Sequence, residues 1–201
     1  MTVVRYIIPT YLLEIARTNL PSAMSLIYTD ITNRCCRQLE SYPLTIKEYV
    51  FDHPTHINPH KIDRSSSLSL AIRRFEIAYT FDRENSFVYL NDIIKYDSRR
   101  ISHMVYKKMM AKEHCCVQAS EKYFYDADVY CGKNYKVVIS HDLDVLLFGS
   151  PVIIKEFSPV KIVTIDELMY RGDVDTKEEL INLCIYLGTD YHNDIVFSKN
   201  D

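Results

Sequence analysis

Five aspartates stand at the ends of apolar segments. Asp30 follows the β-prone run Ser25-Leu26-Ile27-Tyr28-Thr29, and Asp52 follows Ile46 to Phe51. Asp142 and Asp144 follow the run Tyr135 to Ser140, and Asp190 comes just after Gly188, which closes a helical stretch. Carboxylates gathered at one edge repel one another and take up protons unless cations neutralise them, so such a group points to hard divalent metals with oxygen ligands. Two such ions about 3.5 to 4 Å apart activate a water and stabilise the leaving oxygen in phosphodiester hydrolysis. The spacing Asp142-Leu143-Asp144 in an extended segment would turn both carboxylates to one side. An aspartate after a strand is also a common loop starter and helix cap, and for Asp30 or Asp52 taken singly that alternative stands.

The elements that must position these carboxylates are strands alternating with helical stretches. Strands are expected at 25–29, 46–51 and 135–140, with Val152-Ile153-Ile154 a further apolar run. Ile7, Ile8, Leu12, Leu13 and Ile15 recur at helical spacing before Asn19-Leu20-Pro21, which predicts an N-terminal helix lying against the sheet. Residues 31–39 have helical character, and so do 68–77 and 102–110 within a middle stretch of helices and loops. A last helix is expected over 177–187, with Thr176 as N-cap and Glu179 completing a capping box. The expected fold class is α/β: a central, mostly parallel sheet flanked by helices, whose ligands bind beyond the carboxyl ends of the strands.

At 201 residues with 47% hydrophobic content, the chain is the size of one ordinary domain, and a single unit over 1–201 is expected. Its 24 Lys+Arg against 27 Asp+Glu give a net charge of −3, so no global basic field marks a nucleic-acid partner and phosphate contacts must be local. Bound cations would reverse the sign around an acidic cluster. The six cysteines show neither CxxC nor zinc spacing and read as small buried hydrophobes of a reducing compartment. Arg5, Pro9, Glu14 and Arg17 interrupt any signal or membrane-spanning run at the start. The expectation is an intracellular protein of nucleus or cytoplasm with no membrane partner. His53, His56 and His60, irregularly spaced around two prolines, read as a polar loop rather than a transition-metal site.

The segment from Val138 through His141-Asp142-Leu143-Asp144 to Pro151 resembles the strand and acidic loop of flap endonucleases and their XPG-type relatives. Asn182 to Tyr191, containing Leu187-Gly188-Thr189-Asp190-Tyr191, is similar to that family's later segment ending in Leu-Gly-Ser-Asp-Tyr. Upstream, Tyr49-Val50-Phe51-Asp52 resembles its Val-Phe-Asp-Gly strand, and Leu26 to Asp30 its first metal-binding strand. His103 to Glu121 looks like the helix leading into its Ala-Pro-Ser-Glu-Ala-Glu motif. The resemblance spans about residues 24 to 191 and implies a PIN-like 5′ nuclease fold with a helical, arch-like insertion over 53–112.

The resemblance further implies that Asp30, Asp52, Glu121, Asp142, Asp144 and Asp190 hold two Mg²⁺ ions, with Mn²⁺ able to substitute. Tyr123 stands where the family has a second glutamate, and Asp126 lies one turn further on. Lys61, Arg64, Arg73 and Arg74 occupy the stretch where the family's arch grips nucleic acid; a solvated basic face is the alternative. Lys61 and Arg64, with Asp142 and Asp144, are the implied catalytic groups. The implied activity is metal-dependent hydrolysis of DNA or RNA at flaps, ends or junctions, and the compact build would suit a viral protein. The chain stops eleven residues after Asp190, so the family's helix-two-turn-helix is expected to be absent and a protein partner or self-association to supply the duplex grip. The competing reading is a degenerate nuclease fold that binds nucleic acid or protein without cutting.

Overall fold

A computed structural model describes residues 9–59, 65–82 and 86–187. The described residues fall into two units, one built from 43–59 and 116–187, the other from 9–42, 65–82 and 86–115. Lys61, Arg64 and Asp190 lie outside the described residues.

The second unit is helical. Helix α1 (Thr10–Thr18) packs on α2 (Leu20–Glu40), whose first turn is held by the Asn19 side chain accepting the Ser22 N–H at 3.1 Å. The strand expected at 25–29 is instead the interior of α2. The reason is the burial pattern: Ala23, Ile27, Tyr28, Ile31, Thr32 and Cys36 share one helical face, while Leu26 is exposed. Tertiary burial of that face overrides the β preference of Ile27, Tyr28 and Thr29. In the same unit, α3 (Ser65–Phe81), a single 3₁₀ turn at Phe87–Tyr89, α4 (Leu90–Tyr96) and α5 (Ser98–Ala111) follow in order. Ile101, Val105 and Met109 of α5 are fully buried, four residues apart, as one apolar stripe requires.

The first unit is mixed α/β. Strand β1 (Tyr49–Phe51) pairs in parallel with β2 (Cys116–Gln118), with Phe51 opposite Gln118. A 3₁₀ turn at Glu121–Tyr123 leads into α6 (Ala127–Asn134), then β3 (Val137–Ile139) and the short α7 (Asp144–Leu147). Strand β4 (Val152–Phe157) pairs in parallel with β3 and antiparallel with β5 (Val160–Thr164), the hairpin passing through a cis Ser158–Pro159 peptide. Helices α8 (Ile165–Gly172) and α9 (Lys177–Leu187) close the unit. The described strands thus form two small sheets, one parallel and one mixed, in place of one central sheet. The expected capping box is present: Thr176 Oγ1 accepts the Glu179 N–H at 3.2 Å while Glu179 Oε2 accepts the Thr176 N–H at 3.0 Å.

The core of this unit lies directly beside the acidic turn after β3. Val138, Val145, Leu146 and Ile153 are buried together, with Leu143, Ile165 and Leu168 packed against them. Burial of each such side chain contributes about 1.5 to 3 kcal/mol, so the residues flanking Asp144 are held by packing. Two glycines permit the close contact of α6 with α7. A Cβ on Gly132 would stand 2.5 Å from Phe148 Cβ and 2.9 Å from the Val145 carbonyl oxygen. Gly149, at φ +124, lies against the Gly132 carbonyl.

Candidate active site at the strand ends

Parallel pairing of β1 and β2 puts the residues that follow them at one edge, with neighbouring strands about 4.8 Å apart. The ladder continues one step beyond the strands, the Ala119 N–H donating to the Phe51 carbonyl at 2.9 Å. Asp52 comes next on one side and Glu121, two residues past Ala119, on the other; both are exposed. The chain then folds back on itself, since Phe124 and Tyr125 both adopt left-handed conformations, at φ 52 and 61. This turn delivers the Tyr125 carbonyl to the His53 N–H at 3.0 Å, so Asp52 is bracketed by backbone hydrogen bonds at its two neighbours.

Asp52 is also tied to the start of α6. Its Oδ1 accepts the Ala127 N–H at 2.8 Å. Beside it, the buried Asp126 is the N-cap of that helix, with Oδ1 accepting from the Asp128 N–H at 2.8 Å and the Val129 N–H at 3.3 Å. Its Oδ2 accepts from Asn58 at 3.0 Å. The helix N-terminus thus receives two carboxylates, where the macrodipole favours negative charge. Asp126 caps this helix. Tyr123 itself donates its hydroxyl to Asn134 at 3.3 Å and meets the Tyr130 ring edge-on at 4.7 Å.

Two carboxylates of this neighbourhood carried no weight in the sequence analysis, Glu48 and Asp128. Burial first, then the charges of Asp128, Glu48, Asp126 and Asp52, push the Cys131 thiol up to about 12, so four carboxylates lie within electrostatic reach of one sulfur. Glu48, just before β1, accepts the hydroxyls of Tyr130, at 3.2 Å, and Tyr135. Asp128 had a signal in the sequence, because Asp126-x-Asp128 repeats the spacing of Asp142-x-Asp144.

At the end of β3 the Ser140 N–H donates to the Ile154 carbonyl at 3.2 Å, extending the pairing with β4. The segment beyond is a turn and not the extended run expected from alternation. Ser140 Oγ accepts the Asp142 N–H at 3.0 Å, and Asp142 Oδ1 accepts the Asp144 N–H at 3.1 Å. Leu143 is helical, at φ −83 and ψ −17, and Asp144 opens α7. The short Asp side chain bonding two residues onward stabilises such a turn and competes with an extended backbone. Asp142 is exposed and Asp144 partly buried. Asp144 lies near α9: burial and then its charge push the Cys184 thiol upward.

The other expected positions among the described residues fall in the helical unit. Asp30, expected at a strand end, projects from α2 and pairs with Arg34 at 3.1 Å, one helical turn on. Arg73 and Arg74 are exposed on α3, whose buried positions are Ala71 and Phe75. In the acidic neighbourhood of the first unit the donors are carboxylate oxygens, the ligand type that hard divalent cations take. Among the described residues, no three His, Cys, Asp or Glu side chains stand together so as to hold an ion. No helix among them is long and apolar enough to cross a membrane.

Residues 129–190 match the family model of the XPG I-region, while no curated protein and no solved structure matches the chain. The matched span begins on α6 and takes in β3, the Asp142–Asp144 turn, the β4–β5 hairpin, α8 and α9. Over that region, with its acidic turn at the end of a parallel strand, the chain is similar to the XPG and flap-endonuclease family of 5′ nucleases.

Proposed function

We propose that this chain is a divalent-metal-dependent nuclease that hydrolyses phosphodiester bonds in DNA or RNA, at flaps, ends or junctions. The observation that carries the reading is the I-region match, because its span contains Asp142, Asp144 and Asp190 together. Nucleases of this family use Mg²⁺ and act on nucleic acid. Asp52, Glu121, Asp142 and Asp144 are the carboxylates of the first unit assigned to metal binding, and Asp30 and Asp190 are assigned to it by the resemblance of their sequence segments. When bound, the cations would neutralise these carboxylates, lower the pKa of an attacking water and stabilise the leaving oxygen. Asp52 and Asp142 each spend one oxygen on a backbone N–H, which fixes the orientation of the other. Lys61, Arg64, Arg73 and Arg74 are assigned to the phosphate backbone, where positive side chains position the strand without reading its sequence.

The test is cleavage of labelled single-stranded, flap and duplex DNA and RNA with Mg²⁺ or Mn²⁺, with and without chelator. Metal-dependent cutting that the chelator abolishes supports the reading; no cutting of any substrate in either metal contradicts it. One observation favours a second reading, a family fold that binds without cutting. Tyr123 stands where the resemblance places a metal-binding glutamate, with its hydroxyl bonded to Asn134. Binding without cleavage in the same assay selects it.

A further inference from the structure

The turn that brackets Asp52 carries a stack of rings. His56 and Tyr125 lie face to face, with centroids 4.6 Å apart and planes 22° from parallel. His53 meets both edge-on, at 4.5 Å from His56 and 5.4 Å from Tyr125. The arrangement is fixed from below by the backbone. His53 Nδ1 accepts the His56 N–H at 3.1 Å and the Thr55 N–H at 3.3 Å, so that nitrogen carries no proton. His56 Nδ1 lies 2.9 Å from it and 3.2 Å from Thr55 Oγ1, so polar contacts hold this edge of the His56 ring. Tyr125 is held by its carbonyl on the His53 N–H and by its own N–H on the Ser120 carbonyl, at 3.0 and 2.9 Å. Its left-handed backbone, at φ 61, costs a tyrosine conformational energy that the surrounding hydrogen bonds offset.

The stack is therefore preorganised, and its His56 end is exposed to solvent. It also adjoins the carboxylates: His53 follows Asp52 directly, and Tyr125 closes the turn that begins at Glu121. A packing role alone would leave no reason for an exposed imidazole to be held parallel to a tyrosine by a chain of hydrogen bonds. A flat ring face beside phosphodiester chemistry suits a nucleobase, since every base offers a π-face to an aromatic platform. A base inside a duplex is already stacked on both sides and offers none, so the platform selects an unpaired base.

We propose that His56 and Tyr125 form a stacking site for an unpaired nucleobase of the strand whose backbone passes Asp52. The proposal rests on the nuclease reading and names the substrate feature that this site would prefer. Single-stranded oligonucleotides of DNA and RNA, carrying 2-aminopurine or an abasic residue at successive positions, provide the probe. Binding is measured on the full chain with Ca²⁺ in place of Mg²⁺ and the substrate verified intact.

At one position along the strand, 2-aminopurine fluorescence should be quenched and the abasic residue should weaken binding by about 5- to 150-fold, the range that stacking of one base supplies. His56→Ala should remove both effects. His56→Phe, which keeps a ring, should restore them. Tyr125→Asn, which tolerates the left-handed backbone while removing the ring, should act as His56→Ala does. Far-UV circular dichroism and melting of each variant separate loss of stacking from loss of fold. If the variants and abasic strands bind as tightly as the parent pair, the stacking site is overturned while the nuclease reading stands. If His56→Phe fails to restore quenching in a folded protein, stacking is also overturned. If no oligonucleotide binds the parent chain, the nuclease reading itself fails.

Discussion

Asp52 and Ala127 are joined by a 2.8 Å hydrogen bond from the Ala127 N–H to Asp52 Oδ1, which fastens the end of β1 to the first turn of α6. The same side chain that the nuclease reading assigns to metal binding therefore also holds the fold, and the two roles separate on substitution. Asp52→Ala removes the acceptor and should cost about 1 kcal/mol of stability, the net value of an ordinary hydrogen bond. Asp52→Asn keeps an acceptor oxygen but loses the charge. It should melt close to the parent and lose most of its metal-dependent cleavage. Urea unfolding and cleavage rates of the two variants, measured together, check this; an Asp52→Asn protein as active as the parent would remove Asp52 from the metal-binding set.

Gly132 marks the contact that holds α6 against α7 and so sets the turn carrying Asp142 and Asp144. Gly132→Ala would press a methyl into Phe148 Cβ and the Val145 carbonyl, at 2.5 and 2.9 Å. Overpacking of this kind costs about 1 to 3 kcal/mol. The expected result is a lower midpoint in urea with an unchanged slope. An alanine variant as stable as the parent would show that α6 and α7 do not approach this closely.

Much of the first unit could be read from the sequence because the signals were local. Thr176 and Glu179 specify their own capping box, and Val50-Phe51 and Val137-Val138-Ile139 are apolar runs that tertiary packing uses as strands. The strand expected at Ser25 to Thr29 failed because its β-prone residues serve a helical burial face set by Ala23, Ile31 and Cys36, which only packing reveals. The β4–β5 hairpin was missed, although Val160, Ile162 and Thr164 alternate with Lys161 and Val163, because Val163 blurs the polar-apolar alternation and Ser158-Pro159 reads as a break. Among the site residues, Asp142 and Asp144 could be found as a pair, but not that Asp142 would cap its own turn. A carboxylate two residues before a backbone N–H satisfies an extended or a turned backbone equally well on paper. Asp126 shows the same ambiguity, since only the bonds its Oδ1 accepts from the Asp128 and Val129 N–H groups identify it as a cap.

The burial of Cys131, with carboxylates near it, leads to a pH-dependent stability. Burial, followed by Asp128, Glu48, Asp126 and Asp52, raises its thiol from 9.0 to about 12. A group whose native pKa lies above its unfolded value favours the native state fully below the unfolded pKa and loses that contribution as pH rises toward the native one. The loss should run from about pH 9 to 12. Urea unfolding of the parent and of Cys131→Ala from pH 7 to 11 isolates it, because other groups titrate alike in both. The stability difference should be constant up to about pH 8.5 and move against the parent above that, by the slope of one proton. A difference that stays flat to pH 11 would mean that burial and the neighbouring carboxylates do not raise this thiol.

The central claim is that carboxylates at the strand ends bind the metal on which cleavage depends, and it is tested most directly by single-turnover cleavage of labelled flap and single-stranded substrates by the parent and by Asp142→Asn/Asp144→Asn, over a Mg²⁺ series. The substitution preserves shape, and the amide oxygen introduced at position 142 would keep an acceptor for the N–H of residue 144, so the turn should survive. The account predicts Mg²⁺-dependent cleavage by the parent and a rate at least about 10²-fold lower in the folded double variant at every Mg²⁺ concentration, as expected when ligand charge is removed from a metal that stabilises the transition state. Undiminished cleavage by the double variant would contradict it.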